Sequence, residues 1–277
     1  MDISKFFDTI DHELLMKAVR LHTDSLWVLL YIERWLKVPY QLKDGSRIER
    51  DKGVPQGSVI GPVLANLFLH YVFDMWISKY HPRIPFERYA DDTICHCSTK
   101  AQAEALKISV QQRFAECKLM LNEEKTRIVY CKDNRRKEKY EVISFDFLGY
   151  TFRPRKAVDK NGVSFTGYLP AISNKSMKRI REKIRSWQLK RHTFHKLETI
   201  AEKINPVLRG WIIYYGKFYP TRLKILLEEV NRLLARWVTA KYKRYRGKLR
   251  RAFYWLGNIS EKEKSLFYHW AWGVTPT

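Results

Sequence analysis

Positive charge is concentrated in one part of this sequence. The 277 residues carry 52 Lys and Arg against 29 Asp and Glu, which gives a formal net charge of +23. Residues 151–250 hold 26 basic and 6 acidic side chains, whereas residues 1–100 hold 13 of each. A neutral first part followed by a strongly basic stretch predicts two modules, the second of which binds a polyanion.

The basic stretch has the pattern of packed helices. From about Ser173 apolar residues recur three and four positions apart, and in one segment they form a continuous stripe made of Leu223, Leu226, Leu227, Val230, Leu233, Leu234 and Trp237. Tyr and Trp are interleaved with the basic residues, which favours nucleic acid over an anionic membrane surface as the partner. We therefore expect residues 173–277 to form a basic helical bundle. Its predicted RNA-binding side chains are Arg179, Lys183, Arg232, Arg236, Lys241, Lys243 and Arg244.

The residues before this bundle alternate between strand and helix patterns. We predict strands at "MDISKFF", "RIVYC" and "SFDFLGYTFRPR", and hairpins at "QLKDGSRIERDKG" and "RYADDTICHC". Helices are predicted after Asp11 as an N-cap, at "SLWVLLYIERWL", after the Gly-rich loop "VPQGSVIGP", and at "KAQAEALKISVQQRFAECKL". Residues 1–153 are thus expected to form an α+β module with an antiparallel sheet and packed helices. A polar connector, residues 154–172, is expected to join this module to the bundle.

Two adjacent carboxylates, Asp91 and Asp92, lie at the predicted tip of the second hairpin. A solvated turn is the simplest explanation, because Asp is common in turns. Otherwise such a pair requires protonation, a basic partner or a bound divalent metal. Asp2 begins another predicted strand, and three carboxylates from neighbouring strands can hold two Mg²⁺ ions roughly 3.5–4 Å apart for in-line phosphoryl transfer. Gln56 in the Gly-rich loop and Lys125 after a turn add an amide and a proton donor.

Five segments of this chain resemble a known family. They are "DISKFFDTIDHELL", "GVPQGSVIGPVLANLFL", "RYADD", "LNEEKT" and "FDFLGYTF", and they follow the order of the palm motifs of reverse transcriptases. The sequences of these segments are similar to those of group II intron-encoded proteins. "LRGWIIYYGKFYP" and the basic helix after it resemble the maturase or X domain, which serves as the polymerase thumb. The resemblance covers the chain from Asp2 to about Trp270.

The resemblance implies a role for individual residues. Asp2, Asp91 and Asp92 match the metal ligands for two Mg²⁺ ions, with Mn²⁺ as an alternative, and Lys125 matches the general acid toward pyrophosphate. The nucleotide-binding positions that it implies are Phe7, Gln56 and Gly57. Phe7 matches the residue that closes over the sugar 2′ carbon, although core packing is a competing explanation for an aromatic side chain.

The implied function is RNA-directed DNA polymerase and RNA-binding maturase of a group II intron. Its partners would be the intron RNA, an RNA template with a DNA primer, and deoxynucleoside triphosphates. From Met1 standing directly before Asp2, we expect the fingers region that precedes the palm in this family to be missing. The alternative is therefore a catalytically impaired, truncated protein that acts only as an RNA-binding splicing maturase. A reverse transcriptase of another lineage is disfavoured by "GWIIYYGKFYP".

The sequence also indicates what to expect around the chain. "MDISKFFDTI" has neither a basic start nor an apolar run, and no stretch approaches 18 apolar residues, so neither a signal peptide nor a membrane partner is expected. Four cysteines are too few for a disulfide scaffold, which fits a cytoplasmic location. Cys95-His96-Cys97 has no second Cys pair, so no zinc-dependent nuclease is expected. Dimerisation is left open.

Overall fold

A computed structural model describes residues 1–41, 44–136 and 138–276 of the chain. They divide into two compact units, Met1–Ile128 and Val129–Thr277. Each unit has its own hydrophobic core. Helices and small antiparallel sheets are present together, which confirms the predicted α+β class. The predicted division into residues 1–153, 154–172 and 173–277 stays a prediction.

Six α-helices make up nearly half of the described part of the first unit. They are α1 (Phe6–Thr9), α2 (His12–Arg20), α3 (Leu26–Lys37), α4 (Gly61–Leu69), α5 (Met75–Tyr80) and α6 (Lys100–Glu116). Asp11 caps α2 as predicted, because its side chain accepts a hydrogen bond from the backbone N of Leu14 at 3.0 Å. A π-helical turn, His70–Asp74, joins α4 to α5 without a break. The predicted long helix after the Gly-rich loop is therefore confirmed.

Two short hairpins complete the regular structure of this unit. Strands β1 (Tyr40–Gln41) and β2 (Arg47–Ile48) are antiparallel, as are β3 (Phe86–Tyr89) and β4 (Asp92–Cys95). Both hairpins were expected from the sequence. Positions 42 and 43 of the first predicted hairpin lie outside the described residues.

The predicted strand at "MDISKFF" is wrong. In this segment the described strand pairing is a single bridge between Ile3 and Leu121. Lys5 then adopts the left-handed conformation with φ of 47°, and the chain turns into α1, which buries Phe6. The β-compatible side chains are thus used for core packing instead of a continuous ladder.

The predicted strand at "RIVYC" is also wrong. Between α6 and residue 145, the described residues contain neither a helix nor a strand. One backbone hydrogen bond joins the N of Tyr130 to the O of Val142 at 2.9 Å. The charged run between these two residues offers few apolar side chains to bury, so a ladder beyond this bond gains little. Position 137 of that run lies outside the described residues.

A three-stranded antiparallel sheet begins the second unit, with the order β5 (Phe145–Phe147), β6 (Tyr150–Val158) and β7 (Ser164–Ile172). The predicted strand at "SFDFLGYTFRPR" is confirmed but is divided by a two-residue turn. Both residues of that turn, Leu148 and Gly149, have positive φ, as a tight hairpin of this kind requires.

Residues 154–172, predicted as a polar connector, form most of the β6–β7 hairpin. Nine residue pairs link the two strands, from Tyr150 with Ile172 to Val158 with Ser164. Asp159 nucleates the turn, since its Oδ1 accepts from the backbone N of Asn161 and of Val163 at 2.8 Å each. Most residues of the hairpin stay partly or fully exposed, which is why its composition resembles that of a loop.

The remainder of the second unit is helical, as predicted. Its α-helices are α7 (Asn174–Ser186), α8 (Leu197–Tyr215), α9 (Pro220–Lys241), α10 (Leu249–Lys262) and α11 (Tyr268–Ala271). The predicted apolar stripe lies on α9, and six of its seven members are fully buried, with Leu233 partly buried at the edge. Burial of this stripe supplies much of the stabilising free energy of the bundle. Among the described residues, no helix has the length and apolar character that spanning a bilayer takes.

Asn231 is the polar exception inside the apolar face of α9. Its Oδ1 lies 2.8 Å from Nε2 of His269 and accepts from Nε1 of Trp270 at 2.9 Å, and its Nδ2 donates to the O of Val274 at 3.1 Å. Burial lowers the pKa of His269 to about 3, so the imidazole is neutral at physiological pH. One amide side chain therefore fastens the end of the chain to the centre of the bundle.

Replacing Asn231 with Ala should lower the free energy of unfolding by at least about 3 kcal/mol, because several buried polar groups lose their partner at once. Urea titration followed by tryptophan fluorescence measures this change. Asn258→Ala, at an exposed position of α10, is the control and should stay within about 0.5 kcal/mol of the unchanged chain. Equal stability of the two variants would contradict the assignment.

Candidate functional site

The β3–β4 hairpin presents two carboxylates at its tip. Tyr89 and Asp92 are the last paired residues, which leaves Ala90 and Asp91 as the turn. Ala90 has φ of 54°, a left-handed conformation that residues other than glycine seldom adopt. Asp91 and Asp92 therefore lie at the end of the hairpin, as the sequence predicted.

Asp2 is brought to the same hairpin by backbone pairing. The N of Met1 donates to the O of Thr93 at 2.7 Å, and the N of Thr93 donates to the O of Met1 at 3.3 Å. On the other side, the O of Asp2 accepts from the N of Asn122 at 2.9 Å, and the N of Asp2 donates to Oγ1 of Thr126 at 3.2 Å. The first residues thus lie between β4 and the segment that follows α6.

The three carboxylates act on one another electrostatically. Partial burial raises the pKa of Asp92 above its ordinary value, and repulsion by Asp91 and then by Asp2 raises it further. The terminal ammonium of Met1 and then the ammonium of Lys125 lower the pKa of Asp92 and offset only part of this effect. Negative charge is therefore concentrated at the hairpin tip in a way that a cation would relieve.

Lys125 reaches this cluster from a turn that Asn122 holds, since Asn122 Oδ1 accepts from the backbone N of Lys125 at 3.2 Å. Its Nζ lies 3.0 Å from Oδ2 of Asp2. The hydrogen bond to Asp2 raises the pKa of Lys125 above its ordinary value, with a further contribution from the charge of Asp2. The ammonium is therefore charged at neutral pH and forms an ion pair with Asp2 in this conformation.

The donor chemistry of the site matches a hard divalent cation, because carboxylate oxygens are the ligands that Mg²⁺ prefers. The three carboxylates do not form a complete metal site in this conformation. Within the described ranges, no three His, Cys, Asp or Glu side chains are grouped so that they could share one ion.

Arg88 holds the hairpin turn, and sequence reasoning missed it. Its Nε donates to Oδ1 of Asp74 at 2.6 Å and its Nη2 to Oδ2 of the same carboxylate at 2.5 Å. Nη1 donates to Oδ1 of Asn66 at 2.9 Å and to the O of Ala90 at 3.0 Å. The guanidinium thus connects the turn bearing Asp91 with the helix that runs through the π-helical turn.

The sequence shows only that Arg88 is a charged residue within a predicted strand. Its exposure of 11%, which requires a partner of opposite charge, is visible only in the structure. The identity of that partner was not readable, because Asp74 ends the π-helical turn, and such a turn changes which side chains share a helix face.

The predicted nucleotide-binding residues lie together. The O of Phe7 accepts from the N of Val54 at 2.6 Å, and Nε2 of Gln56 donates to Oδ1 of Asp8 at 3.3 Å. Phe7 is half-buried against the core, whereas Gln56 and Gly57 are exposed. The roles of Phe7, Gln56 and Gly57 stay predictions.

Glycine is required where this loop approaches α1. Gly53 has φ of 81°, and a Cβ at this position would lie 2.8 Å from the O of Phe7. A side chain there would push the loop carrying Gln56 away from Phe7.

Six of the seven predicted RNA-binding side chains in the second unit are exposed: Arg179, Lys183, Arg232, Arg236, Lys243 and Arg244. Arg236 shares a groove with Lys190 and Arg191. Lys241 differs, because its Nζ donates to the O of Thr193 and the O of His195 at 2.7 Å each. That ammonium stabilises a loop, so it contributes less to an open basic surface.

Two family models match the chain. Residues 1–152 match "Reverse transcriptase (RNA-dependent DNA polymerase)", and residues 177–255 match "Group II intron, maturase-specific domain". The first range contains Asp2, Asp91, Asp92 and the predicted nucleotide-binding residues. The second contains all seven predicted RNA-binding side chains.

Curated proteins are similar over parts of the chain. Protein YkfC of Escherichia coli K12 is 29% identical over 181 residues, which cover 54% of this chain and 45% of that protein. The group II intron-encoded protein LtrA of Lactococcus lactis is 27% identical over 136 residues, 49% of this chain and 21% of LtrA. The putative COX1/OXI3 intron 1 protein of Saccharomyces cerevisiae is 31% identical over 80 residues, 29% of this chain and 10% of that protein.

The chain thus spans less than half the length of each of these relatives. The polymerase match nevertheless covers more than half of the chain itself, and it is followed in order by the maturase match. The chain therefore belongs to the reverse transcriptase (RNA-dependent DNA polymerase) family, and its second half carries the maturase-specific domain of group II introns.

Proposed function

We propose that this chain is an RNA-directed DNA polymerase and an intron RNA-binding maturase of a group II intron. The observation that carries the proposal is the pairing of the first residues with β4, because it brings Asp2 beside Asp91 and Asp92. The substrates would be an RNA template with a DNA primer and deoxynucleoside triphosphates. The RNA partner of the basic bundle would be the intron itself.

Asp2, Asp91 and Asp92 are the side chains that would hold the metal, with Mg²⁺ as the ion and Mn²⁺ as a substitute. Two such ions, when bound, supply activation of the attacking hydroxyl and neutralisation of charge on the phosphates. Lys125 would hold a proton beside the pyrophosphate, and its ion pair with Asp2 keeps it at this place in the free chain. Phe7 would border the sugar of the incoming nucleotide, and Gln56 and Gly57 its base or sugar edge.

Arg88 would be a positioning residue for this reaction. It does not belong to the carboxylate cluster, but it donates to the O of Ala90 and so fixes the direction in which Asp91 and Asp92 leave the hairpin. Positioning of reacting groups contributes strongly to phosphoryl transfer, because the protein forms few bonds to the reacting phosphate.

RNA binding by the second unit would be mainly electrostatic. Its exposed Arg and Lys side chains face phosphates, and contacts to phosphates position a nucleic acid without reading its bases. Selectivity would come from the shape of the folded intron RNA. This function does not need the carboxylates, so it can be separated from polymerisation by mutation.

Replacing Asp91 and Asp92 with Asn together should abolish Mn²⁺ binding and RNA-templated primer extension, because both ligand charges are removed while the shape is kept. Titration with Mn²⁺ followed by electron paramagnetic resonance gives the affinity. Glu123→Gln/Glu124→Gln removes another adjacent carboxylate pair in the same unit and should leave both measurements unchanged.

Unchanged Mn²⁺ affinity in the Asp91→Asn/Asp92→Asn variant would contradict the metal assignment. Primer extension that is absent from the unchanged chain, with RNA binding retained, would instead support the alternative function, an RNA-binding maturase without polymerase activity. RNA affinity of the double variant should equal that of the unchanged chain in either case.

Replacing Arg88 with Lys should slow primer extension by about tenfold to a hundredfold, because Lys keeps the charge but cannot bridge Asp74 and the O of Ala90 at once. Single-turnover primer extension measures the rate. Arg83→Lys, at an exposed position before β3, is the matched control. An Arg88→Lys rate equal to that of Arg83→Lys would show that Arg88 does not position the turn.

Raising the salt concentration from about 50 to about 200 mM should weaken RNA binding on the order of a thousandfold if about six phosphates are contacted. Fluorescence anisotropy of the full chain with a structured RNA measures the affinity at each concentration. Arg232→Gln/Arg236→Gln should reduce the slope of log affinity against log salt by about two. A flat dependence for the unchanged chain would remove the electrostatic RNA-binding function.

A further inference from the structure

Three arginines meet where the β6–β7 hairpin contacts the start of α9. Cζ of Arg155 lies 5.1 Å from the centroid of the Tyr219 ring, just before α9. Arg155 is 7% exposed, and its Nε and Nη2 donate to the O of Leu169 at 3.1 Å and the O of Thr151 at 3.3 Å. With Arg153 on the same strand and Arg222 on α9, it forms what we name the arginine cluster (Arg153, Arg155 and Arg222).

The charge of the arginine cluster is not compensated within the described protein. No described carboxylate lies within ion-pairing distance of any of the three guanidinium groups. Burial lowers the pKa of Arg155, and repulsion by Arg153 and then by Arg222 lowers it further. A buried charge that hydrogen bonds only to neutral carbonyls beside two like charges opposes folding unless something else balances it.

Two long helices add to this positive potential. Nη2 of Arg222, in the first turn of α9, donates to Oδ1 of Asn174, the first residue of α7, at 3.0 Å. The amino-terminal ends of both helices therefore lie next to the cluster, and each carries a partial positive charge. The cluster is thus a concentration of positive charge from side chains and backbone together.

Structural contacts account for Arg155 and for one nitrogen of Arg222, but not for Arg153. Arg155 braces the hairpin through two carbonyls and Tyr219, but Arg153 is exposed and Arg222 is partly exposed. Neither of these two is required to hold the carbonyls that Arg155 holds. Arg153 and Arg222 therefore leave positive charge accessible beside the buried guanidinium of Arg155.

We propose that the arginine cluster binds a backbone phosphate of the nucleic acid held by this chain. Guanidinium groups match phosphate oxygens in a fork geometry, which the exposed Arg153 offers, while Arg155 adds charge with its Nε and Nη2 already held by carbonyls. Phe218, next to Tyr219, is 47% exposed and offers a ring on which a neighbouring base can stack. The cluster therefore fits a nucleic-acid strand better than a free phosphate. This inference rests on the proposed RNA binding.

The test uses the full chain with Arg153→Gln/Arg222→Gln, which removes the two accessible charges and leaves Arg155 in place. The slope of log RNA affinity against log salt should fall by about two relative to the unchanged chain. Arg181→Gln is the matched control, because Arg181 already pairs with Glu229 at 2.8 Å. That variant should keep the slope, and thermal unfolding should show that both variants are folded.

Three results would each overturn either this inference or the proposed function. A folded Arg153→Gln/Arg222→Gln variant with the slope of the unchanged chain overturns the inference while the proposed RNA binding stands. If the unchanged chain does not bind RNA, the proposed function is overturned. Inorganic pyrophosphate serves as the free-phosphate probe: if it raises the unfolding temperature only when the cluster is intact, and RNA slopes do not change, the site binds free phosphate and the proposal is wrong.

Discussion

The ion pair between Arg88 and Asp74 is the interaction on which the candidate site depends. Two short hydrogen bonds fix the guanidinium on the helix side, and a third carries that fixed position to the O of Ala90 in the hairpin turn. A left-handed alanine in a two-residue turn is unfavourable unless its surroundings determine it. The acidic pair therefore owes its direction to a side chain on the preceding strand and a carboxylate on a separate helix.

The two units solve opposite electrostatic problems. In the first, Asp91 and Asp2 repel the carboxylate of Asp92, and Lys125 supplies partial compensation. In the second, arginines gather beside helix amino termini without a carboxylate in ion-pairing range among the described residues. Each arrangement lowers the stability of the free chain and becomes favourable when the opposite charge arrives. Metal and phosphate are the natural complements of the two.

Much of the architecture was predictable because local signals and burial agree. The cap at Asp11, the hairpin at Asp91 and the stripe on α9 each combine a turn or capping residue with a clear apolar period. Prediction failed where composition and structure diverge. Most positions of the β6–β7 hairpin are partly or fully exposed, so its composition resembles that of a loop. The segment with Ile3 has strand-like residues but only one bridge.

The candidate site was predictable to a similar extent. Asp2, Asp91, Asp92 and Lys125 could be grouped from motif order, and they do lie within electrostatic reach of one another. The contacts of Arg88 could not be predicted, because they join three separate elements. The engagement of Lys241 with two carbonyls was equally hidden, since a basic residue at a helix end looks the same whether it faces solvent or a loop.

The π-helical turn at His70–Asp74 makes the site sensitive to chain length in a way that side-chain chemistry does not reveal. Each residue of an α-helix advances the helix by about 100° of rotation, so Asn66 and Asp74, eight positions apart, would differ by about 80° in an uninterrupted α-helix. The wider turn reduces that angle and lets both side chains face one guanidinium. A regular α-helix with the same number of residues would turn the acidic side chain about 80° away, whereas deleting one residue there would leave the two side chains seven positions and only about 20° apart. The number of residues in this turn is therefore itself a determinant of the site.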